Sequence, residues 1–417
     1  MTDTSSSLPK VAPDLQSHAP DASRVQRLRS DQEALDAAHR LAALFAPGAS
    51  ERDRERRLPW AELDLWSESG LGGITVPRAH GGADVSFATL AEVFVILSAA
   101  DPSLGQIPQN HFGLLGVLRE IGTQAQKERF YAEVLSGHRL GNAGPERRSK
   151  TILQGQTRLA QTPQGLRLTG ERFYSTGALF AHRVPTRALD DAGRAVQAWV
   201  PRDAPGLTVV DDWSSFGQRT TASGTVRFDD VAIDANDVLP IWQLADRPGL
   251  FGPSSQIMQA AIDQGIAQAA LADALVFVRE RARPWIDSGL ERASDDPYII
   301  QDVGRLQVDL HAAHEVLLEA GHLLDGIRAA GTVTADASAR ASVAVAEAKI
   351  LTTQIALDAS EKLLELAGSS ATREAHNLGR HWRNARTHTL HDPVRWKAHL
   401  IGNHLLNDVA PPRHSWN

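Results

Sequence analysis

TRLAQTPQGLRLTGERF (residues 157–173) breaks the rhythm of the chain. Apolar and polar residues alternate there with a period of two, on both sides of Thr162-Pro163-Gln164-Gly165. Such alternation around a Pro/Gly turn signal predicts a half-buried β-hairpin. AVQAWVPR (195–202), LTVVDDW (207–213) and GTVRFDDVAI (224–233) carry the same period, and DDAG (190–193) marks a second hairpin turn. About ninety residues, Thr151 to Leu239, therefore read as a small β domain, a barrel or sandwich.

On either side the period changes to that of helices. DQEALDAAHRLAALFA (31–46) sets Ala34, Leu35, Ala38, Leu41, Ala42 and Leu44 near one face. LPWAELDLWSESG (58–70) reads as a helix closed by Gly70. FATLAEVFVILSAAD (87–101), Phe112–Ile121 and 122–137 read as further helices, and GITVPRAHGGADVS (73–86) as a loop. The charged run ERDRERR (51–57) reads as a solvated helix start. Beyond Pro253 come three long helices, 254–282, 301–330 and 335–368, and a shorter one from Pro393 to Asn407. Short connections between long helices predict a four-helix bundle. The expected organisation is a disordered lead (1–23), an N-terminal helical domain (24–141), a central β-barrel domain (142–245) and a C-terminal four-helix bundle with tail (246–417), an α+β multidomain class.

Composition removes several function classes. The 417 residues carry 43 Lys+Arg and 50 Asp+Glu, a formal net charge of −7, which makes a poor general binder of nucleic acid. Cysteine is absent, which excludes disulfides, thiolate metal sites and Cys nucleophiles and fits a cytoplasmic location. No run approaches eighteen uninterrupted apolar residues, so no membrane span is expected. The first residues lack the basic and apolar regions of a signal peptide. G-x-G-x-x-G after a strand, G-x-S-x-G and the P-loop are missing, so no NAD(P)H site of its own is expected. His388 and His391 are spaced to share a metal, but no recognised carboxylate set accompanies them and no metal is expected.

The order helices, strands, helices, with its motifs, resembles the acyl-CoA dehydrogenase fold. GLGGITVPRAHGGADVSF (70–87), LRLTGERFYSTGA (166–178), SSFGQRTTASGTVRFDDVAI (214–233) and HWRNARTH (381–388) carry the likeness in the family's order. DPSLGQIPQNH (101–111), GNAGPER (141–147), FYSTGALFAH (173–182), RARPW (281–285) and above all HWRNARTHTLHDPVRWK (381–397) resemble a sub-group. Its members are flavin monooxygenases of the dibenzothiophene monooxygenase type and related sulfur-acquisition oxidoreductases. The dehydrogenases need a carboxylate base beside the substrate, commonly nine residues after an Arg. Nine from Arg383 is Asp392, followed by Pro393, and SSQIMQAAIDQ (254–264) offers no Glu at the alternative location. The base of a dehydrogenase is therefore missing or badly replaced.

The sub-group resemblance implies reduced FMN, a separate NAD(P)H:flavin reductase, O₂ activated as a flavin C4a-hydroperoxide, and a small organosulfur substrate. His391 would manage the proton of that species, a task suited to an imidazole near pH 6.5, whereas its plain role would be to cap the next helix. His111 would stand at the flavin edge, or serve as a satisfied core histidine. Thr176 would meet flavin N5, with Tyr174 and Ser175 beside it and Tyr174 packing on the ring. Their ordinary role would be that of β-formers. Trp213 would wall the ring, or be a core aromatic, and Asn142 would bond its pyrimidine edge, or end a helix. Arg283 matches the family's phosphate-binding Arg. Ser369 and Ser370 occupy a segment where the sub-group often has an Arg, and their backbone N–H groups would substitute. GPERRSKT (144–151) would form a lid or a solvated loop. The fold's usual homotetramer is expected. An FAD-dependent acyl-CoA dehydrogenase and a non-catalytic scaffold remain alternatives.

Overall fold

A computed structural model describes residues 20–147 and 155–417. Most of the expected lead, residues 1–19, and part of the expected lid, residues 148–151, lie outside the described residues. Among the described residues the N-terminal region holds α1 (Asp31–Phe45), α2 (Ala49–Glu55), α3 (Trp60–Glu68), α4 (Phe87–Ala100), α5 (Pro102–Gln106), α6 (Gln109–Ile121) and α7 (Gln124–Leu135). The starts follow local chemistry. Ser30 accepts from the Glu33 N–H at α1, and Thr123 with Gln126 forms a capping box at α7. Gly70, expected to close the third helix, follows its C-cap in the left-handed region at φ +79°.

The strands are β1 (Arg158–Thr162), β2 (Gly165–Arg172), β3 (Arg183–Leu189), β4 (Ala195–Pro201), β5 (Leu207–Val209), β6 (Val226–Ile233) and β7 (Val238–Leu239). They form one sheet in the order β5-β6-β2-β1-β3-β4-β7. Both expected hairpins are present, β1–β2 closing on Thr162 opposite Gly165 and β3–β4 on Leu189 opposite Ala195. The expected barrel is not. β5 and β7 stand at opposite ends and do not pair, so the sheet is open. With three and two residues, these end strands are too short for a closing ladder, and short edges also discourage pairing between molecules.

The third region holds α8 (Phe251–Glu280), α9 (Pro297–Ala329), α10 (Ala335–Ala367), α11 (Gly379–His388) and α12 (Arg395–Asn407). The three long helices of the expected bundle are α8, α9 and α10, and the expected shorter last helix is α12, preceded by the short α11; α4 of the N-terminal region also packs on α8. That contact is close because both helices present small residues. A Cβ on Gly265 would sit 2.5 Å from the Val95 carbonyl oxygen. Among the described helices α8 alone is long and apolar enough to cross a membrane, and its apolar stretch is mostly buried here by other helices. One apolar core runs from Leu28 through the sheet residues Leu168 and Trp199 to Ala385.

ERDRERR is solvated only in part: Glu51, Arg54, Glu55 and Arg57 are exposed, but Arg52 and Asp53 are buried. It lies largely in α2, where Arg52 is 2% exposed. Its Nε and Nη1 donate to Asp101 Oδ2 at 2.9 Å and Glu62 Oε1 at 3.0 Å. Asp53 accepts from Asn377 and from Arg383 on α11. Buried charges persist where every one is paired, and this pairing fastens the N-terminal region to α11.

Candidate active site

A cavity of about 1120 Å³ opens between the sheet, α6, the start of α8 and the turn joining α11 to α12. Asn142, Tyr174, Thr176, Trp213 and His391 all line it. Five residues singled out from four separate motifs thus meet at one place.

One wall is aromatic. Tyr174 and Trp213 meet edge to face at 6.1 Å between ring centroids, and Phe173 lies 4.8 Å from Tyr174. Tyr174 holds φ at +58°, a region that bulky residues seldom occupy without support from their surroundings. The support is local: the Thr176 N–H donates to the Tyr174 carbonyl at 3.0 Å, and the Asn142 N–H to the Thr176 carbonyl at 3.1 Å. The Trp213 indole donates to the Gln218 carbonyl at 2.9 Å. Thr176 Oγ1 lies 2.7 Å from Ser223 Oγ, and Ser223 Oγ lies 2.8 Å from Thr221 Oγ1. Ser175 is buried behind this surface and does not face the cavity.

This wall is docked onto α11. The Gln218 N–H donates to Asn384 Oδ1 at 2.6 Å, Phe216 stacks on Trp382 at 6.0 Å, and Arg383 donates to the Phe216 carbonyl at 2.7 Å. A Cβ on Gly217 would lie 1.9 Å from the Arg383 carbonyl oxygen, so only glycine fits there.

His391 faces the cavity just beyond α11. Its Nδ1 is 2.7 Å from the His388 carbonyl oxygen, which can only accept, so Nδ1 carries the proton. Nε2 is then a lone-pair acceptor and takes the Gln106 side-chain N–H at 2.9 Å. One face of the ring is exposed to the cavity, but loss of solvent on the packed side, with His388 and Lys349 nearby, pushes the imidazole down from its usual 6.5 to about 4. The expected value near 6.5 is thereby corrected, and His391 is neutral at physiological pH. Behind it lies a fully buried cluster. His388 Nδ1 stands 2.5 Å from Asp263 Oδ1, while Lys349 Nζ and Thr353 Oγ1 reach Asp263 Oδ2 at 2.7 and 3.1 Å. Burial opposes the charge of Asp263, but Lys349 and His388 outweigh it and hold the carboxyl down at about 2.

The remaining sequence-derived residues fall elsewhere. His111 is 1% exposed and does not line the cavity. Its Nδ1 accepts the Leu140 N–H at 3.1 Å and its Nε2 donates to the Gly72 carbonyl at 2.8 Å. That is the satisfied core histidine, and the flavin-edge placement does not follow. Arg283, Ser369 and Ser370 are exposed and also outside the cavity. Asp392 is 3.2 Å from Lys397 Nζ and points away from it. Among the described residues Glu146 is the one carboxylate on the cavity wall. It accepts from the Gln156 and Thr157 N–H groups and lies 3.3 Å from Arg172.

Sequence reasoning missed Gln106, Ser223 and the tail residues Arg413–Asn417, which also line the cavity. Gln106 and Ser223 sit inside quoted motifs but carry no chemistry of their own until paired. Lys349 had a readable signal, a lone lysine on the apolar face of an Ala-rich helix.

Residues 30–138 match the acyl-CoA dehydrogenase N-terminal domain and residues 257–396 the acyl-CoA dehydrogenase C-terminal domain. The chain is 33% identical over 397 residues to a dibenzothiophene monooxygenase of Rhodococcus erythropolis, covering 92% of this chain and 95% of that one. It is 29% identical to the probable FMNH2-dependent monooxygenase SfnC of Pseudomonas putida, covering 91% and 96%. The crystal structure of FMN-bound TdsC from Paenibacillus sp. A11-2 superposes with a TM-score of 0.88 at 31% identity, over 92% of this chain and all of that one.

Proposed function

The chain belongs to the acyl-CoA dehydrogenase family, and on that premise we propose that it is a two-component flavin monooxygenase oxygenating a small organosulfur compound. When bound, reduced FMN supplies the electrons that activate O₂ and passes one oxygen atom to the substrate. A separate NAD(P)H:flavin reductase delivers it. The observation that carries this reading is the cavity wall. It presents a neutral His391 and the Thr176 hydroxyl, while its one described carboxylate is tied to Arg172 and backbone N–H groups. A dehydrogenase needs a free carboxylate there.

The residues present fit the ring of the flavin. Trp213 and Tyr174 supply an aromatic wall, Asn142 an amide for the pyrimidine edge, and Thr176 a hydroxyl for N5. His391 accepts or relays the proton that accompanies oxygen reduction, and Gln106 orients it. His391 is exposed on the cavity wall, so flavin and substrate filling the cavity would be what keeps water from the reacting atoms and favours transfer to substrate over release of H₂O₂. The phosphate contacts of Arg283, Ser369 and Ser370 come from a neighbouring copy. In support, Arg283 lies beside Trp285 and Ile286, which are 68% and 85% exposed, an apolar surface that a homotetramer would cover. The protein works in the cytoplasm.

Aerobic turnover with photoreduced FMN, with and without candidate sulfides and sulfones, tests the proposal. Oxygenated product dependent on reduced FMN is the expected result. Purified protein carrying stoichiometric FAD through gel filtration, and oxidising acyl-CoA, would overturn it. Failure to bind either flavin would favour a scaffold.

A further inference from the structure

The hydroxyls beneath the aromatic wall form a one-way chain. Thr221 Oγ1 lies 3.0 Å from the Gln218 carbonyl oxygen, and a carbonyl only accepts, so the single Thr221 proton is spent there. Thr221 oxygen must then accept from Ser223, at 2.8 Å, and Ser223 oxygen must accept from Thr176, at 2.7 Å. The proton of Thr176 is therefore turned toward Ser223 and is not offered to the cavity. Thr176, Ser223 and Thr221 are 4%, 3% and 0% exposed; the first two touch the cavity, and a ring seated there would shut water out of the chain. The Thr176 backbone N–H, which might have offered a donor instead, is held by the Tyr174 carbonyl. The Gln218 carbonyl that sets the direction also receives the Trp213 indole.

We propose that Ser223 and Thr221 make Thr176 an acceptor-only contact, and that this polarity selects reduced over oxidised flavin. The inference rests on the flavin reading of the cavity. Reduced isoalloxazine carries a proton on N5 and can donate to Thr176. Oxidised isoalloxazine presents a lone pair there, so two acceptors would face each other in a dry site. A missed bond of this kind is worth about tenfold in affinity or somewhat more. By linkage, a tenfold preference raises the potential of the bound two-electron couple by about 30 mV.

Anaerobic titration with oxidised FMN and with dithionite-reduced FMN gives the ratio of the two dissociation constants. The wild-type chain binds the reduced form at least about tenfold more tightly. Ser223→Ala releases the Thr176 proton, so oxidised FMN gains affinity and the ratio falls toward one. Thr221→Val moves the ratio the same way, and Thr221→Ser, which keeps the hydroxyl, restores it. Thr176→Val weakens reduced FMN selectively. A ratio unchanged in Ser223→Ala and Thr221→Val, with both flavin forms still bound, would overturn the polarity argument and leave the monooxygenase reading intact. Loss of binding of both forms by the wild-type chain would overturn the flavin reading itself, and this inference with it.

Discussion

His111 and His391 are the same side chain in two settings, one sealed in the core and one exposed on a cavity wall. Each is pushed down to about 4, first of all by loss of solvent. His111 has both nitrogens bonded to main-chain groups, Leu140 N–H and Gly72 C=O, inside the N-terminal core. His391 has one nitrogen bonded to the main chain and the other to a side-chain amide that shares its cavity wall. Main-chain partners cannot change role. The Gln106 amide can turn over and offer its oxygen, and that oxygen has no other protein partner. A histidine becomes an instrument of chemistry when its ring is open to a cavity and one of its partners is free to reverse.

The largest effect should come from deleting the two rings. His391→Ala is expected to lower product formation by roughly 10²–10⁴-fold and raise H₂O₂ release. Its stability should change by only about 1 kcal/mol, as for a lost cap. His111→Leu should do the opposite. It strands an N–H and a carbonyl, costing about 2–4 kcal/mol, while the ratio of product to H₂O₂ in the folded fraction stays at the wild-type value. Equal uncoupling in both variants would dissolve the contrast.

Next comes the buried support of His391. Asp263→Asn leaves Lys349 charged and unpaired, and should cost about 3–5 kcal/mol in urea unfolding. Asp263→Asn with Lys349→Met removes both charges and should recover much of that loss. If the double variant folds but remains uncoupled, the cluster orients His391 beyond its contribution to stability.

The two histidines should differ toward acid. Because their folded-state values lie below 6.5, the unfolded chain takes up protons first. Stability is then complete above pH 6.5 and falls as the pH drops from 6.5 to 4, by about 3 kcal/mol for the buried His111 and by less for His391, whose exposed face is screened by water. Urea midpoints across this window should slope downward, and His111→Asn should flatten the slope more than His391→Asn. The smallest effect is reserved for the amide. Gln106→Glu, which can only accept, should favour a protonated His391 and move the pH profile of coupling upward, whereas Gln106→Leu should move it downward. An unchanged profile in both would remove Gln106 from the proton pathway.

Short-range chemistry was legible in the sequence. Pro163 and Gly165 located the first hairpin, Gly70 the end of α3, and the run from His381 to Lys397 led to His391. What depends on long-range pairing was not. Nothing local says that β5 and β7 fail to meet, because closure depends on lengths and twist accumulated over the whole sheet. HWRNARTH is short and polar, so α11 was legible only through the family-like helical motif it carries. ERDRERR looked solvated because its partners Glu62, Asp101 and Arg383 lie 10, 49 and 330 residues away from Arg52 or Asp53. His111 and His391 both sat in family-like motifs, and only the direction of their partners told them apart.

The docking of the 213–218 loop on α11 has a bearing on how such a protein would diversify. The aromatic face and the helix that leads to His391 are locked to each other through Gly217, Gln218, Phe216 and their partners. Parting them would sever several bonds at once. Across the cavity, Ile241 and Leu244 can be exchanged for larger or smaller apolar side chains without cutting one. Substrate breadth should therefore drift on that side, in lineages as in laboratory selections, while the reactive side stays fixed in shape.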